Sequence, residues 1–186
     1  MQIFIKNMVC NRCISAVEDI FSKLKIPINE ISLGEVNTQN TLSDQQIQDL
    51  EKSLKNLGFE RIKDSALQLN DKIKTLIIQK ISEVDIDENF LLSEFLSKHL
   101  FKDYSALSKN FSQNENVTLE QYFILQKIEK VKELLLYKEL TLTEIAGKLG
   151  YKSVQHLSTQ FKNNTGFTPT EFKKLKDYNR KALDEI

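Results

Sequence analysis

Cys10 and Cys13 stand three residues apart and are the only cysteines in a chain of 186 residues. A pair this close cannot staple distant parts of a fold, which leaves both thiols free for other chemistry. Soft thiolate sulfur selects ions such as Cu(I) and Zn(II). Linear Cu(I) is satisfied by two ligands, whereas tetrahedral zinc would need more from a second molecule or from solution, so Cu(I) is favoured over Zn(II). The spacing also suits thiol–disulfide exchange, and a loop that keeps its cysteines without using them is a third reading. Unpaired N–H groups in the first turn of a following helix would favour the Cys13 thiolate, with Arg12 adding positive charge. His99 and His156 have neither cysteine nor each other nearby in sequence, so exposed or structural imidazoles are expected there.

The elements around the pair alternate in type. Ile3 and Ile5 alternate with Phe4 and Lys6 as a strand, and Ile14, Val17, Phe21 and Leu24 then recur at helical spacing behind Asn11 as N-cap. Ile26, Ile28, Ile31 and Leu33 lead to a turn at Gly34 and a short polar stretch through Thr41. Ser43-x-x-Gln46 is a capping box for a helix with Ile47, Leu50, Leu54 and Leu57 on one face, which stops at Gly58 before a last strand, Phe59 to Ile62. The order β-α-β-β-α-β over residues 1–63 is the ferredoxin-like pattern. Within it, Met8-Val-Cys10-Asn-Arg-Cys13 resembles the Met-x-Cys-x-x-Cys loop of heavy-metal-associated domains, with Leu57-Gly58-Phe59 at the place of that family's Gly-aromatic pair. Asn7 and Val9 stand where the family has Gly and Thr. The resemblance implies one soft metal ion held by Cys10 and Cys13.

A second set of polar residues comes from a repeat. Residues 91–122 align without a gap on 141–172, with identities at Leu92/Leu142, Glu94/Glu144, Lys98/Lys148, Lys102/Lys152, Leu107/Leu157, Ser108/Ser158, Phe111/Phe161, Asn114/Asn164 and Thr118/Thr168. Each copy reads as a short helix, a tight turn, a second helix and a break. In the second copy Thr141-x-x-Glu144 boxes the first helix, Gly150 permits the turn, Ser153 caps the next helix and Thr168-Pro-x-Glu171 opens the last. In the first, Thr118-x-x-Gln121 opens a long helix from Leu119 to about Tyr137 that joins the copies.

Leu142-x-Glu-Ile-Ala-x-x-Leu-Gly-Tyr-x-Ser, then Leu157-Ser-x-x-Phe161-Lys and Thr165-Gly-Phe-Thr-Pro-x-x-Phe172, closely resemble the AraC-type DNA-binding domain over about residues 88–176. Leu100 and Asn116 replace the glycines of that pattern in the first copy. The resemblance implies two helix-turn-helix units that meet double-stranded DNA in the major groove. A joining helix of about 19 residues is about 28 Å long, enough to hold two recognition helices about one DNA turn apart. At about 100° per residue, Val154, Leu157 and Phe161 fall inward, and Gln155, His156, Thr159, Lys162 and Asn163 fall outward. The equivalent outward residues of the first copy are Ser105, Ala106, Lys109, Ser112 and Gln113. Such amides match adenine, and lysines match guanine or phosphate. Lys102 and Lys152 are expected at phosphates, with Ser153 at the same helix start. Any one of these residues is equally well a solvated side chain; the repetition of the face argues for its use.

Charge agrees with this division. Lys plus Arg equals Asp plus Glu at 26 each, but six lysines (148, 152, 162, 173, 174, 176) face the single acid Glu171 in the basic C-terminal run, whereas residues 1–63 balance eight against eight. Basic charge is therefore local. The longest apolar runs are four residues, far short of the roughly 20 that span a bilayer, and strand-like alternation from Ile3 leaves no room for a signal peptide, so a cytoplasmic address is expected. No phosphate-cradling glycine loop and no carboxylate cluster is present, so an enzyme is not expected.

The expected architecture is α+β: a ferredoxin-like lobe (1–63), a connecting helix (64–87) and an all-α paired helix-turn-helix domain (88–186). Leu69, Ile73, Leu76, Ile77 and Ile81 give the connecting helix an apolar face that either docks on a neighbouring lobe or forms a homodimer through 64–84. The expected function is sequence-specific DNA-binding transcriptional regulation, controlled by metal or thiol redox state. The alternative is a metal-transfer or metal-buffering protein whose C-terminal lobe docks to protein partners.

Overall fold

The computed structural model describes residues 1–175 and residue 183; Lys176 and the rest of the expected C-terminal domain lie outside the described residues. The chain divides into two compact units, Met1–Leu76 and Ile77–Ile186.

In the first unit the element order is β1 (Gln2–Lys6), α1 (Asn11–Lys23), β2 (Ile28–Ser32), β3 (Glu35–Thr38), α2 (Asp44–Lys55) and β4 (Glu60–Ile62). The strands form one antiparallel sheet in the order β2-β3-β1-β4. Strand alternation sends Ile3 and Ile5 into a core with Val17, Ile20 and Phe21 of α1 and Leu50 and Leu54 of α2. Phe4 points to the other face, paired across the strands with Glu35 and Ile62. There Lys72 lies 4.9 Å from the Phe4 ring centroid and 3.0 Å from Glu35 Oε2.

Lys72 belongs to α3 (Ser65–Ser82), whose start is capped by Asp64: Oδ1 accepts from Ala66 N at 2.8 Å and from Leu67 N at 3.1 Å. Two expectations change here. The division between units falls inside α3, so residues 64–87 are not a connector separate from both. The face offered for a homodimer is also already used: Ile73, Ile77, Ile78 and Ile81 are buried within the chain. Periodicity reveals that a helix face is apolar but not what covers it. The helix ends at Ser82, short of the expected 87, and Val84 takes a left-handed conformation (φ 53°).

The second unit continues with α4 (Leu92–Leu100), α5 (Tyr104–Asn114), α6 (Leu119–Tyr137), α7 (Leu142–Lys148), α8 (Val154–Thr165) and α9 (Pro169–Phe172). The long helix α6 spans the expected 19 residues and packs against α5, α7 and α8. Its start is fixed by Thr118, whose hydroxyl accepts from Gln121 N. The same aromatic pair recurs at an offset of fifty: Phe111 with Tyr122, and Phe161 with Phe172, each with centroids 5.4 Å apart. Ahead of α4, Ile86 forms a parallel bridge to Leu149 and donates its N–H to Lys148 O at 2.9 Å. Residues just before 88 are therefore part of this helical unit.

Candidate nucleic-acid interface and thiol pair

Helices α5 and α8 lie in equivalent sequence positions of the two copies, and their burial agrees residue by residue over all 11 positions of 104–114 against 154–164. Leu107 and Phe111 in one, Leu157 and Phe161 in the other, are wholly buried. Ser105, Ala106, Lys109, Ser112 and Gln113 are exposed on α5, as are Gln155, His156, Thr159, Lys162 and Asn163 on α8, and Lys102, Lys152 and Ser153 are exposed in the turns. Every outward residue expected from helical spacing thus lies on the surface. Ser153 has a structural task as well, since its hydroxyl accepts from His156 N at 3.1 Å. The His156 ring stands edge-on to Tyr151, with centroids 5.4 Å apart. His99 Nδ1 lies 2.7 Å from Phe95 O one turn earlier on its own helix.

The second helix-turn-helix copy is braced by features that the first copy lacks. Thr141 and Glu144 box the start of α7, and Thr168 and Glu171 box α9. Both carboxyls are held below their ordinary values by these bonds, led at Glu144 by the Thr141 hydroxyl and at Glu171 by the Thr168 N–H. Gly150 turns left-handed (φ 68°), and a Cβ there would lie 2.7 Å from Asp87 O and 2.8 Å from Ile86 Cγ2. Sequence reasoning missed Lys127 of α6. Its ammonium is buried 3.9 Å from the Tyr151 ring centroid and donates to Leu149 O at 3.2 Å, the C-cap carbonyl of α7. Burial lowers its pKa to about 8. Its place in the apolar row Phe123, Val131 and Leu135 was the available signal.

Residues 96–175 match the family described as "Helix-turn-helix domain". The C-terminal unit carries an AraC-type helix-turn-helix domain. The chain is 33% identical over 75 residues to the xylose operon regulatory protein of Haemophilus influenzae, covering 40% of this chain and 19% of that one. It is 36% identical over 70 residues to an uncharacterized HTH-type transcriptional regulator of Pseudoalteromonas carrageenovora, covering 38% of this chain and 41% of that one. This chain therefore spans well under half the length of these curated relatives. Among solved structures, the C-terminal domain of the two-component response regulator yesN from Fusobacterium nucleatum is 34% identical, with a TM-score of 0.48, over 55% of this chain and 99% of that one. Among the described residues, no helix is long and apolar enough to cross a membrane.

The thiol pair lies at the junction of β1 and α1. Asn7 occupies a left-handed conformation (φ 72°), which asparagine tolerates better than most residues, and its Nδ2 donates to Gly58 O at 2.9 Å. This accounts for asparagine at a position where the resembling family has glycine. Cys10 is exposed and Cys13 half-buried, with their sulfurs 3.6 Å apart. Cys10, not Asn11, is the N-cap of α1. The thiolate stabilisation expected at Cys13 falls instead at Cys10. At Cys10 the opposing effect of burial is the largest single one, but the Cys13 N–H, the Cys13 thiol, the Arg12 N–H and the Arg12 charge together lower its pKa. At Cys13 burial prevails and raises the pKa.

Two sulfurs 3.6 Å apart can share one soft ion through bonds of about 2.3 Å in a bent arrangement, whereas linear coordination would set them about 4.6 Å apart. Among the described residues no group of three or more His, Cys, Asp or Glu gathers to add further ligands. Further ligands for a four-coordinate ion would come from outside the chain.

Proposed function

We propose that this chain is a sequence-specific DNA-binding transcriptional regulator of the AraC type, acting in the cytoplasm, with its two recognition helices in successive major grooves. The observation that carries the reading is the matching exposure of α5 and α8, which presents Lys102, Ser105, Lys109, Ser112 and Gln113 from one unit and Lys152, Ser153, Gln155, His156, Thr159, Lys162 and Asn163 from the other. Amide and lysine side chains on such faces suit base edges, and the turn lysines suit phosphates. A monomer suffices: a homodimer through 64–84 would have to avoid the buried face of α3, with Leu67 as its large exposed hydrophobic residue.

The N-terminal unit, read as a ferredoxin-like lobe, is proposed to sense a soft metal ion, Cu(I) before Zn(II), or thiol oxidation, through Cys10 and Cys13. Support comes from the exposed edge of the pair and the acidic Cys10 thiol, which is the sulfur first available as thiolate; a linear Cu(I) would draw the sulfurs apart from 3.6 Å by about 1 Å. A bound ion would supply charge neutralisation and crosslinking of the loop to the start of α1. Regulation requires that this state differ in DNA affinity from the free one.

Fluorescence anisotropy of the reduced full chain tests both parts, using duplexes selected from a random library, a salt series and Cu(I) or a chelator. Saturable, competitor-resistant binding is expected, with the log–log salt slope reduced by about 0.9 for each of Lys102→Ala and Lys152→Ala that removes a phosphate contact. Cys10→Ser/Cys13→Ser should abolish any Cu(I) dependence and leave DNA affinity in chelator unchanged. Equal affinity of wild type across all metal and redox conditions would remove sensing from the account. Stoichiometric Cu(I) uptake with no duplex binding would favour metal transfer or buffering, with the C-terminal lobe docking to protein partners.

A further inference from the structure

The two turns differ in where the left-handed residue falls. In the second unit it is Gly150, and the next residue, Tyr151, tucks its ring into the core at 4% exposure. The Tyr151 hydroxyl donates to Gln160 Oε1 at 2.8 Å. In the first unit the equivalent of Gly150 is Leu100, which is still helical, so the left-handed conformation passes to Phe101 (φ 51°). That one-residue displacement leaves the Phe101 ring in solvent at 92% exposure, although its sequence equivalent, Tyr151, is core.

The ring is not on an arbitrary surface. Phe101 lines one open concavity with Ser97, Lys102, Asp103 and Ala106. Ala106 is on the outward face of the first recognition helix, and Lys102 is the lysine of the turn. The fifty-offset counterparts of Phe101, Lys102, Asp103 and Ala106 are Tyr151, Lys152, Ser153 and His156. One unit therefore presents an aromatic ring, a methyl group and the Asp103 carboxylate beside its lysine, where the other presents a hydroxyl and an imidazole. An exposed ring and methyl cannot read a hydrogen-bond pattern. They match the C5-methyl group of thymine, the apolar feature of the major groove, while the neighbouring lysine neutralises phosphate.

We propose that Phe101, together with Ala106, reads a thymine methyl group in the half-site of the first unit. The half-site of the first unit is then read by apolar contact in addition to hydrogen bonds. This inference rests on the DNA-binding reading above, and it adds a specificity residue that the outward helical positions do not include.

The test uses the full chain and duplexes selected from a random 30-base-pair library, with each thymine replaced in turn by deoxyuridine, which lacks only the methyl group. One or two replacements within a single half-site should weaken binding about fourfold each, the effect of one buried methyl group. Phe101→Ser should make those positions indifferent to the replacement. Lys162→Ala, on the other unit, should weaken binding while keeping the sensitivity. Indifference of the wild type to deoxyuridine everywhere, a selected consensus without thymine, or unchanged sensitivity in Phe101→Ser would overturn the proposal while DNA binding stood. A chain that selects no duplex would overturn both readings together.

Discussion

The two helix-turn-helix units share an interior and differ in their joints. Leu107 and Phe111 repeat as Leu157 and Phe161, all fully buried, and the aromatic pairs beneath them have equal centroid separations. The ends of the helices do not repeat in this way. Ser153 caps α8 through a side-chain hydrogen bond, whereas Asp103 makes none at α5. Thr141 boxes α7, whereas Leu91 at the start of α4 offers no capping oxygen. The lesson is one of magnitude. A buried phenylalanine is worth about 3 to 5 kcal/mol and a cap about 1 kcal/mol. Repetition of the fold is thus held by the interior, while the stiffness of each unit is set by its cheaper, more divergent ends.

The largest effects test the shared interior. Phe111→Ala and Phe161→Ala should each lower the stability of the C-terminal unit by about 4 kcal/mol in urea unfolding. A difference above about 2 kcal/mol between them would break the equivalence of the two cores. Next comes the turn. Gly150→Ala should cost about 3 kcal/mol, from left-handed strain and the contact with Asp87 O, whereas Phe101→Gly should be neutral or stabilising by under about 1 kcal/mol. Opposite signs at these two turn residues are the sharpest form of the contrast, and thermal unfolding of both variants reads it directly.

Smaller effects separate the caps. Ser153→Ala should cost about 1 kcal/mol and Asp103→Ala close to nothing, in line with their hydrogen bonds. Larger than either cap effect, and confined to the second helix-turn-helix, is a pH effect. The ordinary Lys127 pKa of 10.5 falls to about 8 on burial, so between these values the folded chain has shed a proton that the unfolded chain keeps. Stability should therefore rise with pH across about 8 to 10.5, and below 8 the cost of burying the charge is present in full. Lys127→Met should flatten that rise, measured as the change in urea midpoint between pH 7.5 and 10 against wild type.

Much of this arrangement was legible in the residues. The order of strands and helices follows from alternation at Ile3 and Ile5 and from helical spacing at Leu50 and Leu54. Ser43, Thr118, Thr141, Ser153 and Thr168 mark helix starts because each side-chain oxygen can accept an N–H two or three positions on. The outward residues of α5 and α8 were equally readable, since the inward ones are fixed by large apolar side chains. What escaped depends on neighbours distant in sequence or on a shift of one residue. The cover over Ile73 and Ile77 leaves no mark on their own helix. Which cysteine is more acidic turns on the burial of Cys13 and on the N–H groups of Arg12 and Cys13 beside Cys10. The exposure of Phe101 had a signal in the missing glycine at Leu100, because a tight turn must place its left-handed residue somewhere.

The short pairing of Ile86 with Leu149 has a consequence for synthesis. Residues 84 to 87 leave the ribosome about sixty residues before Gly150, a wait of several seconds at ordinary elongation rates. During that wait the first helix-turn-helix can close on contacts among its own neighbours, Leu96, Leu107, Phe111 and Tyr122. The second must recover a segment emitted before the first was made, and Gly150 leaves room for that segment and nothing more. A fragment starting at residue 88 would therefore keep the first reader and lose the brace of the second, and a protease cut between Val84 and Glu88 would reach a distal turn rather than a linker.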